Sequence, residues 1–182
     1  MRVIAGELRS RRLKSIPGLA TRPTPDRLRE TLFDILTPRI AGAIFVDAYA
    51  GTGAVGIEAL SRGARHTFFL ERSRPALEVI RENLAGLGLE PRATVVTGPV
   101  LLTLSRYPAE IVFADPPYEV EREYIALLDR LAEMRPPLAV IQHSVHRSLP
   151  ETHSKLERRR VVKQGDNALS FYEPEKANGT GN

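Results

Sequence analysis

The segment Asp115-Pro116-Pro117-Tyr118 follows an apolar run, residues 111–114, and combines a carboxylate, two prolines and an aromatic ring. Because proline lacks an N–H and cannot continue a β-ladder, the pattern predicts a strand that ends at Asp115. The first proline also holds Asp115 in an extended conformation. Such a corner presents groups that can bind a planar, amino-bearing ring by its edge and its face. An ordinary strand-ending turn is the alternative, since Asp and Pro are common turn residues.

A glycine-rich turn lies upstream, where a short apolar run is followed by a helix predicted from about Val55 to Arg62. Three of its glycines have the G-x-G-x-x-G spacing of a dinucleotide-binding turn: Gly51, Gly53 and Gly56. This spacing is weak support when it stands alone, because glycine-rich turns often connect strands to helices.

Two carboxylates indicate which ligand this turn prefers. Glu71 closes the next apolar run, 18 positions after Gly53, where an acid can bind the hydroxyls of a ribose. Asp47 ends the first strand and is separated by three residues from Gly51, so it would neighbour an ammonium group better than a pyrophosphate. S-adenosylmethionine carries a sulfonium and an ammonium and no phosphate, and the pattern therefore favours this methyl donor. A solvated charge beside Arg72 is the alternative for Glu71.

Together these segments resemble the RsmD family. Residues 47–56 look like motif I of the Rossmann-fold methyltransferases, and residues 115–118 look like motif IV of their amino-methylating class. The likeness extends from Arg2 to about Tyr172. It also includes three further segments: 2–6, 22–33 and 59–64. The resemblance implies a cytoplasmic enzyme that uses S-adenosyl-L-methionine to methylate the 2-amino group of a guanine in 16S ribosomal RNA.

The resemblance also implies roles for individual residues. In the catalytic corner, the Asp115 carboxylate and the Pro116 carbonyl would accept hydrogen bonds from the amino group, and Tyr118 would stack on a flipped base beside Pro117. Tyr49 either packs over the donor or fills the core. The predicted donor-binding residues are Asp47, Tyr49, Ala50, Gly51, Thr52, Gly53, Gly56, Glu71, Arg72 and Val100.

Positive charge is concentrated at the N-terminus. Residues 1–39 contain nine basic and four acidic residues, whereas the remainder contains 17 basic and 18 acidic residues. A localised basic cluster is the footprint expected for a polyanion, although a solvated basic face is the alternative. The predicted RNA-binding residues are Arg2, Arg9, Arg11, Arg12, Lys14, Arg22, Arg27 and Arg29. The last three, with Thr24, could instead reach the carboxylate of the donor.

One position departs from the pattern of the family. RsmD-like proteins normally have an acid after the third strand that binds the adenine amino group, but this chain has Gly98-Pro99-Val100. Proline offers neither an acceptor side chain nor an N–H. The backbone N–H of Val100 remains to meet the adenine, and we expect donor binding to be weaker by about 1 kcal/mol.

The order of apolar runs predicts the fold class. Strands alternate with helices between residues 44 and 143, which indicates an α/β fold with a parallel sheet covered by helices on both faces. Two final runs, 156–163 and 168–173, have no helix between them and predict an antiparallel pair. They would complete a seven-stranded, mostly parallel Rossmann-like methyltransferase sheet with an antiparallel final strand. Residues 2–14 are predicted to form a basic hairpin, followed by a helix that starts at Pro25 and is ended by Pro38.

Length and composition limit the alternatives. A chain of 182 residues fits one domain, which we place at 1–174, with a basic N-terminal extension over 1–39 and a Rossmann-like core over 40–174. Residues 175–182 are expected to be a disordered tail. No apolar run is long enough for a membrane span. We expect a monomer.

Metal and disulfide chemistry are not predicted. The chain has no cysteine, which excludes disulfides and thiolate metal sites and fits the cytoplasm. His143 and His146 form an H-x-x-H without a clear third ligand, so we interpret them as chance surface histidines. A second basic cluster over residues 155–163 is expected on an edge strand, where it could bind RNA or protect against aggregation.

Two other functions remain open from the sequence. A nicotinamide-dependent oxidoreductase would explain the glycine spacing and Glu71, but it would leave the proline corner unexplained. A catalytically weak or silent factor for RNA binding or assembly, on the same fold, would be consistent with Pro99. Titration with S-adenosylhomocysteine against NAD separates the first alternative, and incubation of small subunits with labelled donor separates the second.

Overall fold

A computed structural model describes residues 1–16, 25–117 and 119–176 of the chain. Arg22, Thr24, Tyr118 and residues 177–182 lie outside these ranges. The helices and strands, in chain order, are α1 (Asp26–Ile40), β1 (Ile44–Ala48), α2 (Ala54–Ser61), β2 (His66–Glu71), α3 (Arg74–Leu87), β3 (Ala93–Thr97), α4 (Val100–Thr103), β4 (Ile111–Ala114), α5 (Glu121–Met134), β5 (Leu138–Ser144), β6 (Thr152–His153), β7 (Leu156–Gln164) and β8 (Asn167–Pro174).

All of these strands join one sheet in the order β3-β2-β1-β4-β5-β8-β7-β6. The first five strands are parallel, and β8 enters antiparallel between β5 and β7. The predicted α/β class, the mostly parallel sheet and the antiparallel last pair are confirmed. The predicted number of seven strands is wrong by one, because Thr152–His153 adds a two-residue strand at the far edge.

Helices cover both faces of the sheet. On one face, α1, α2 and α3 pack their apolar sides on alternate residues of the parallel strands, such as Phe45 and Phe69. On the other face, α4 and α5 pack on the intervening residues, such as Val46 and Leu70. Strand β4 is buried along its whole length, which is expected for a central parallel strand covered on both sides.

The predicted N-terminal hairpin forms around a single bridge between Arg2 and Arg12. Its apolar residues Val3 and Leu13 are buried in a cluster with side chains from α2 and α3. Gly6 has a φ of 83°, and a Cβ added there would lie 1.9 Å from the carbonyl oxygen of Ser61. The hairpin is therefore seated closely on the end of α2, and glycine is required at its turn.

The prediction that Pro38 ends the first helix is wrong. Helix α1 begins at Asp26, one residue after the predicted start at Pro25, and continues through Pro38 to Ile40. A proline in the last turn removes one backbone hydrogen bond, while Leu36 and Ile40 gain burial in the core. None of the helices in the described part of the chain is both long enough and apolar enough to cross a membrane.

Candidate active site

The glycine-rich turn starts directly after β1 and lies at the carboxyl edge of the parallel strands. Tyr49, Gly51 and Gly53 all have positive φ, at 61°, 56° and 78°. The N–H of Ala50 donates to the carbonyl of Leu70 at the end of β2, 3.1 Å away. This turn is the place where open α/β sheets bind ligands, and the glycines allow the backbone to approach them closely.

Asp47 lies beneath the turn, 2% exposed. One of its carboxylate oxygens accepts the N–H of Gly56 at 2.8 Å, and the other has no hydrogen-bond partner within the described ranges. Burial raises the pKa of Asp47 well above its usual value, and the nearby carboxylates of Asp115 and Glu71 raise it further, although the bond from Gly56 opposes this. A cationic ligand placed here would relieve this cost of burying negative charge.

Glu71 holds the turn against the tip of β2. One carboxylate oxygen accepts the N–H of Gly51 at 2.9 Å, and the other accepts the N–H groups of Arg72 and Ser73, both at 2.8 Å. A carboxylate has about four acceptor positions, so it can still bind a ribose hydroxyl. Arg72 contributes its backbone to this arrangement, and its exposed side chain has no partner among the described residues.

The proline corner is tied directly to the glycine-rich turn's strand. The N–H of Asp115 donates to the carbonyl of Ala48 at 3.2 Å. Because Asp47 pairs in register with Phe113 and side chains alternate along a strand, Asp47 and Asp115 project toward the same face of the sheet. The structure therefore brings the two sequence motifs together at one edge, as the order of elements predicts.

The carboxylate of Asp115 is partly buried and has no hydrogen-bond partner among residues 1–16, 25–117 and 119–176. Burial raises the pKa of its carboxyl group to about 7. Such an acceptor is costly to the folded protein unless a ligand supplies a donor. Asp115 is thus placed to accept hydrogen bonds from a ligand amine.

The other described residues of the corner differ from Asp115 in their burial and hydrogen bonds. The Pro116 carbonyl accepts the hydroxyl of Tyr124, 3.3 Å away, so one of its two lone pairs is used and one remains for a ligand. Pro117 is exposed. Tyr118 lies outside the described residues, and its stacking role stays a prediction.

The segment after β3, residues 98–100, lies beside the tip of β2. Gly98 has a φ of 148°, and its N–H donates to the carbonyl of Glu71 at 3.0 Å. Pro99 directly precedes α4, and its carbonyl accepts the Thr103 hydroxyl at 3.0 Å. The side chain of Val100 is buried in the core, so only its backbone could meet a ligand, and that contact stays a prediction. Pro99 stands where the family pattern has an acid, so this position offers no carboxylate to an adenine amino group.

Two residues of the site were missed by sequence reasoning. The hydroxyl of Tyr49 donates to Glu123 at 2.6 Å, and Tyr124 donates to Pro116. Both partners belong to the first turn of α5, directly after the corner. Their position after Asp115 could have singled them out, but nothing in the sequence pairs Glu123 with a residue 74 positions earlier. Tyr49 also contacts the core cluster, so its ring is half-buried.

Most of the predicted RNA-binding residues form an exposed basic surface, here called the hairpin surface: Arg2, Arg9, Arg11, Arg12 and Lys14. In the described part of the chain, Arg2, Arg9 and Arg12 have no acidic partner. Arg11 donates to the Gly86 carbonyl at 3.3 Å, and Lys14 pairs with Glu82 at 2.9 Å. Arg27 is exposed on α1, and Arg22 lies outside the described residues.

The prediction that Arg29 contacts RNA is wrong, whereas its alternative, contact with the donor carboxylate, stays a prediction. Its side chain is fully buried, and its guanidinium donates to the Arg2 carbonyl at 2.6 Å and to Asp26 at 3.1 Å. The carboxylate of Glu58, also fully buried, lies 3.9 Å away and accepts the N–H groups of residues 4 and 5. Arg29 therefore joins the hairpin to α1, while Glu58 joins it to α2, and desolvation lowers the pKa of Arg29.

The prediction that His143 and His146 are both surface histidines is wrong for His143. His143 is buried, not on the surface, because its ring contacts the Ser170 hydroxyl and the Ser144 carbonyl, both at 2.8 Å. Burial lowers its pKa. His146 is exposed. Among the described residues no group of three or more His, Cys, Asp and Glu side chains could hold a metal ion.

The second basic cluster lies mainly on β7, and two of its five basic residues, Arg158 and Arg159, have side-chain partners in the described structure. Arg159 contacts the carboxylate of Glu157, and Arg158 donates to the Leu149 carbonyl at 2.6 Å. Beyond residues 156 and 157, the outer side of β7 has no strand partner in the described part of the sheet. This placement agrees with an edge strand whose charges discourage further pairing.

Comparison with known proteins gives the family. The family described as Conserved hypothetical protein 95 matches residues 1–173. Ribosomal RNA small subunit methyltransferase D of Escherichia coli (strain K12) is 35% identical, over 96% of this chain and 90% of that protein. YlbH of Bacillus subtilis (strain 168) is 34% identical, over 94% of this chain and 98% of that protein.

Solved structures agree with this assignment. The Escherichia coli protein yhhF superposes with a TM-score of 0.84 at 34% identity, covering 96% of this chain and 98% of that one. A hypothetical protein of Thermus thermophilus has a TM-score of 0.80 at 32% identity, covering 95% of this chain and 99% of that one. Matches of this extent include both motifs and the N-terminal hairpin. The chain therefore belongs to the RsmD family of rRNA methyltransferases.

Proposed function

We propose that this protein transfers a methyl group from S-adenosyl-L-methionine to the 2-amino group of a guanine in small-subunit ribosomal RNA. The observation that carries the proposal is the Asp115 carboxylate, which is partly buried and has no partner in the described structure. The backbone of Asp115 is bound to β1, the strand that leads into the glycine-rich turn, here called the donor turn. The name of the Escherichia coli relative, which specifies small-subunit ribosomal RNA, supports the choice of substrate.

The residues present fit a cationic adenosyl donor. Glu71 lies where ribose hydroxyls would bind, and Gly51 leaves open space where a Cβ would stand. Asp47 offers a carboxylate oxygen without a partner in the described ranges, suited to an ammonium group. When bound, the donor supplies an electrophilic methyl group. Three carboxylates at one edge stabilise its positive charge and would exclude a pyrophosphate.

The corner would act on the target amine. The lone pair of a guanine amino nitrogen is delocalised into the ring, so this nitrogen is a poor nucleophile. Hydrogen bonds accepted by the Asp115 carboxylate and the free lone pair of the Pro116 carbonyl favour a pyramidal nitrogen whose lone pair faces the methyl group. The N–C bond would form as the bond between the methyl carbon and the sulfur of the donor breaks, and S-adenosylhomocysteine would leave. The nitrogen would then lose one proton, which Asp115 can accept because burial raises the pKa of its carboxyl group to about 7.

The hairpin surface would hold the RNA. Three of its arginines, Arg2, Arg9 and Arg12, are exposed without acidic partners in the described structure and are available for phosphates. Lys14 is joined to the donor turn through Asn83, whose side chain accepts from the Lys14 N–H at 2.7 Å and donates to the Thr52 carbonyl at 3.3 Å. The basic surface is therefore fixed relative to the donor turn. Such an enzyme would work in the cytoplasm, where ribosomal subunits assemble.

A methylation assay tests the proposal. Small ribosomal subunits and their assembly intermediates, prepared without the modification, are incubated with labelled donor, and the RNA is digested and analysed by mass spectrometry. We expect N2-methylguanosine with the wild-type protein and at least about 100-fold less with Asp115→Asn. Glu78→Gln is the control, because Glu78 is an exposed acid on α3 without a partner in the described structure. A different modified base, or equal activity of Asp115→Asn, would contradict the proposal.

The Pro99 segment keeps a silent RNA-binding protein as a second candidate, because the carboxylate expected beside the adenine is absent there. This candidate predicts RNA binding without label transfer under any of these conditions. Membership of the methyltransferase family leaves the oxidoreductase alternative without support.

A further inference from the structure

We propose that Tyr49 and Glu123 are positioning residues, and that their hydrogen bond sets the distance between the donor turn and the catalytic corner. The inference rests on the proposed methyl transfer and assigns to the first turn of α5 a role that neither sequence motif contains. It concerns the alignment of the two halves of the site and not the chemistry of either half.

The backbone of Tyr49 supports a functional role for its side chain. Its φ of 61° is a conformation that residues with a Cβ rarely adopt, and it persists only where the surroundings hold it. The neighbouring positive-φ positions of the turn are glycines, Gly51 and Gly53. The side chain of Tyr49 reaches across to α5, where its hydroxyl donates to Glu123 at 2.6 Å. Tyrosine at this strained position therefore provides a contact that glycine could not.

The other end of the connection leads to the corner. Tyr124, the residue after Glu123, is 1% exposed, and its hydroxyl donates to the Pro116 carbonyl at 3.3 Å. The guanidinium of Arg147 lies 4.5 Å from the centre of the Tyr124 ring. Successive residues of α5 thus bind the donor turn and the corner, which makes this helical turn a rigid spacer between them.

Methyl transfer is sensitive to such spacing. The reacting atoms must approach to about 3–3.5 Å in line, and a displacement of about 1 Å can reduce the rate about 100-fold. The backbone bond from Asp115 to Ala48 fixes the corner to β1, and the bonds of Ala50 and Gly51 fix the turn to β2, but none of these bonds joins the turn to α5. Loss of the Tyr49–Glu123 bond would let α5 and the corner shift relative to the turn, while the contacts of the turn to a bound donor remain.

Kinetic comparison of full-length variants tests the inference. For Tyr49→Phe we expect kcat to fall about tenfold, while the Kd for S-adenosylhomocysteine, measured by calorimetry, and the KM for RNA stay within about twofold. Glu123→Ala should reproduce this pattern, and the double variant should be no slower than either single variant. Glu123→Gln should retain at least half of the wild-type kcat, because its amide oxygen can still accept the tyrosine hydroxyl.

Two matched controls are available. Tyr107→Phe removes a hydroxyl that has no partner among the described residues, and Glu121→Ala removes an exposed acid from the same helical turn. Both should leave kcat unchanged. If Tyr49→Phe keeps the wild-type kcat, or weakens only donor binding, or if Glu123→Gln is as slow as Glu123→Ala, the inference is wrong. Absence of methylation by the wild-type protein would instead contradict the proposed function.

Discussion

The N–H of Asp115 donates to the carbonyl of Ala48, 3.2 Å away, and this bond joins the catalytic corner to the strand that carries Asp47. Both carboxylates consequently lie at one edge of the sheet, and each has an elevated pKa because of burial. Two buried carboxylates at one edge destabilise the folded protein when no ligand is bound. The same two carboxylates favour the binding of a cation.

Asp115→Asn should stabilise the protein at neutral and higher pH while removing activity. Folding raises the pKa of Asp115 to about 7, so the folded state binds this proton more tightly than the unfolded chain does. The stabilisation of the folded state by this tighter proton binding is fully present below the unfolded pKa of about 4, and it is lost as the pH rises through about 7. Because Asn cannot ionise, we expect its stability advantage to grow by about 1–2 kcal/mol between pH 5 and pH 8, a value reduced for partial solvent exposure. Urea unfolding at both pH values measures this; an advantage that shrinks toward pH 8 would contradict the burial of this charge.

Methyl transfer should depend on the same ionisation. Asp115 accepts hydrogen bonds effectively only as a carboxylate, so kcat/KM should rise about tenfold per pH unit below about 7 and then level off. A bound cationic donor favours the charged form, and the inflection of kcat should therefore lie at lower pH than that of kcat/KM. Initial rates between pH 5.5 and 9 provide the measurement. A profile that falls across pH 7 would contradict the role given to Asp115.

Pro99→Asp should strengthen donor binding. The new carboxylate would stand directly before α4, where it can accept both the adenine amino group and a free N–H of the first helical turn. We expect the Kd for S-adenosylhomocysteine to fall about fivefold, which corresponds to about 1 kcal/mol. Pro99→Ala, which offers no acceptor, should leave the Kd within about twofold. Equal values for the two variants would show that the adenine does not lie beside this segment.

The sequence was sufficient to predict the edge of the sheet where the site lies, because parallel strands alternating with helices must place Asp47, Glu71 and Asp115 at their carboxyl ends. It was insufficient for contacts between distant residues. Arg29 was predicted to contact RNA or the donor, but it is buried 3.9 Å from Glu58, and no local pattern predicts that pair. The hydrogen bond of Tyr49 with Glu123 was missed for the same reason.

The hairpin surface should govern the salt dependence of RNA binding. Replacing Arg2, Arg9 and Arg12 by alanine removes exposed charges that have no acidic partner in the described structure. The slope of log K against log salt concentration should become shallower by roughly 0.7–0.9 for each lost phosphate contact. Affinity for ribosomal RNA would be measured at several salt concentrations. Arg106→Ala, an exposed arginine of the segment next to α4 on the opposite face, is the control and should leave the slope unchanged; an equal effect of both changes would point to non-specific charge.

A crystal structure of the protein with S-adenosylhomocysteine tests the shared site most directly. We expect its ribose hydroxyls within hydrogen-bond distance of Glu71, its ammonium group near Asp47 and its sulfur facing the carboxylate of Asp115 across an opening wide enough for one base. Density for the nucleoside at another surface, or a sulfur directed away from Asp115, would contradict the account.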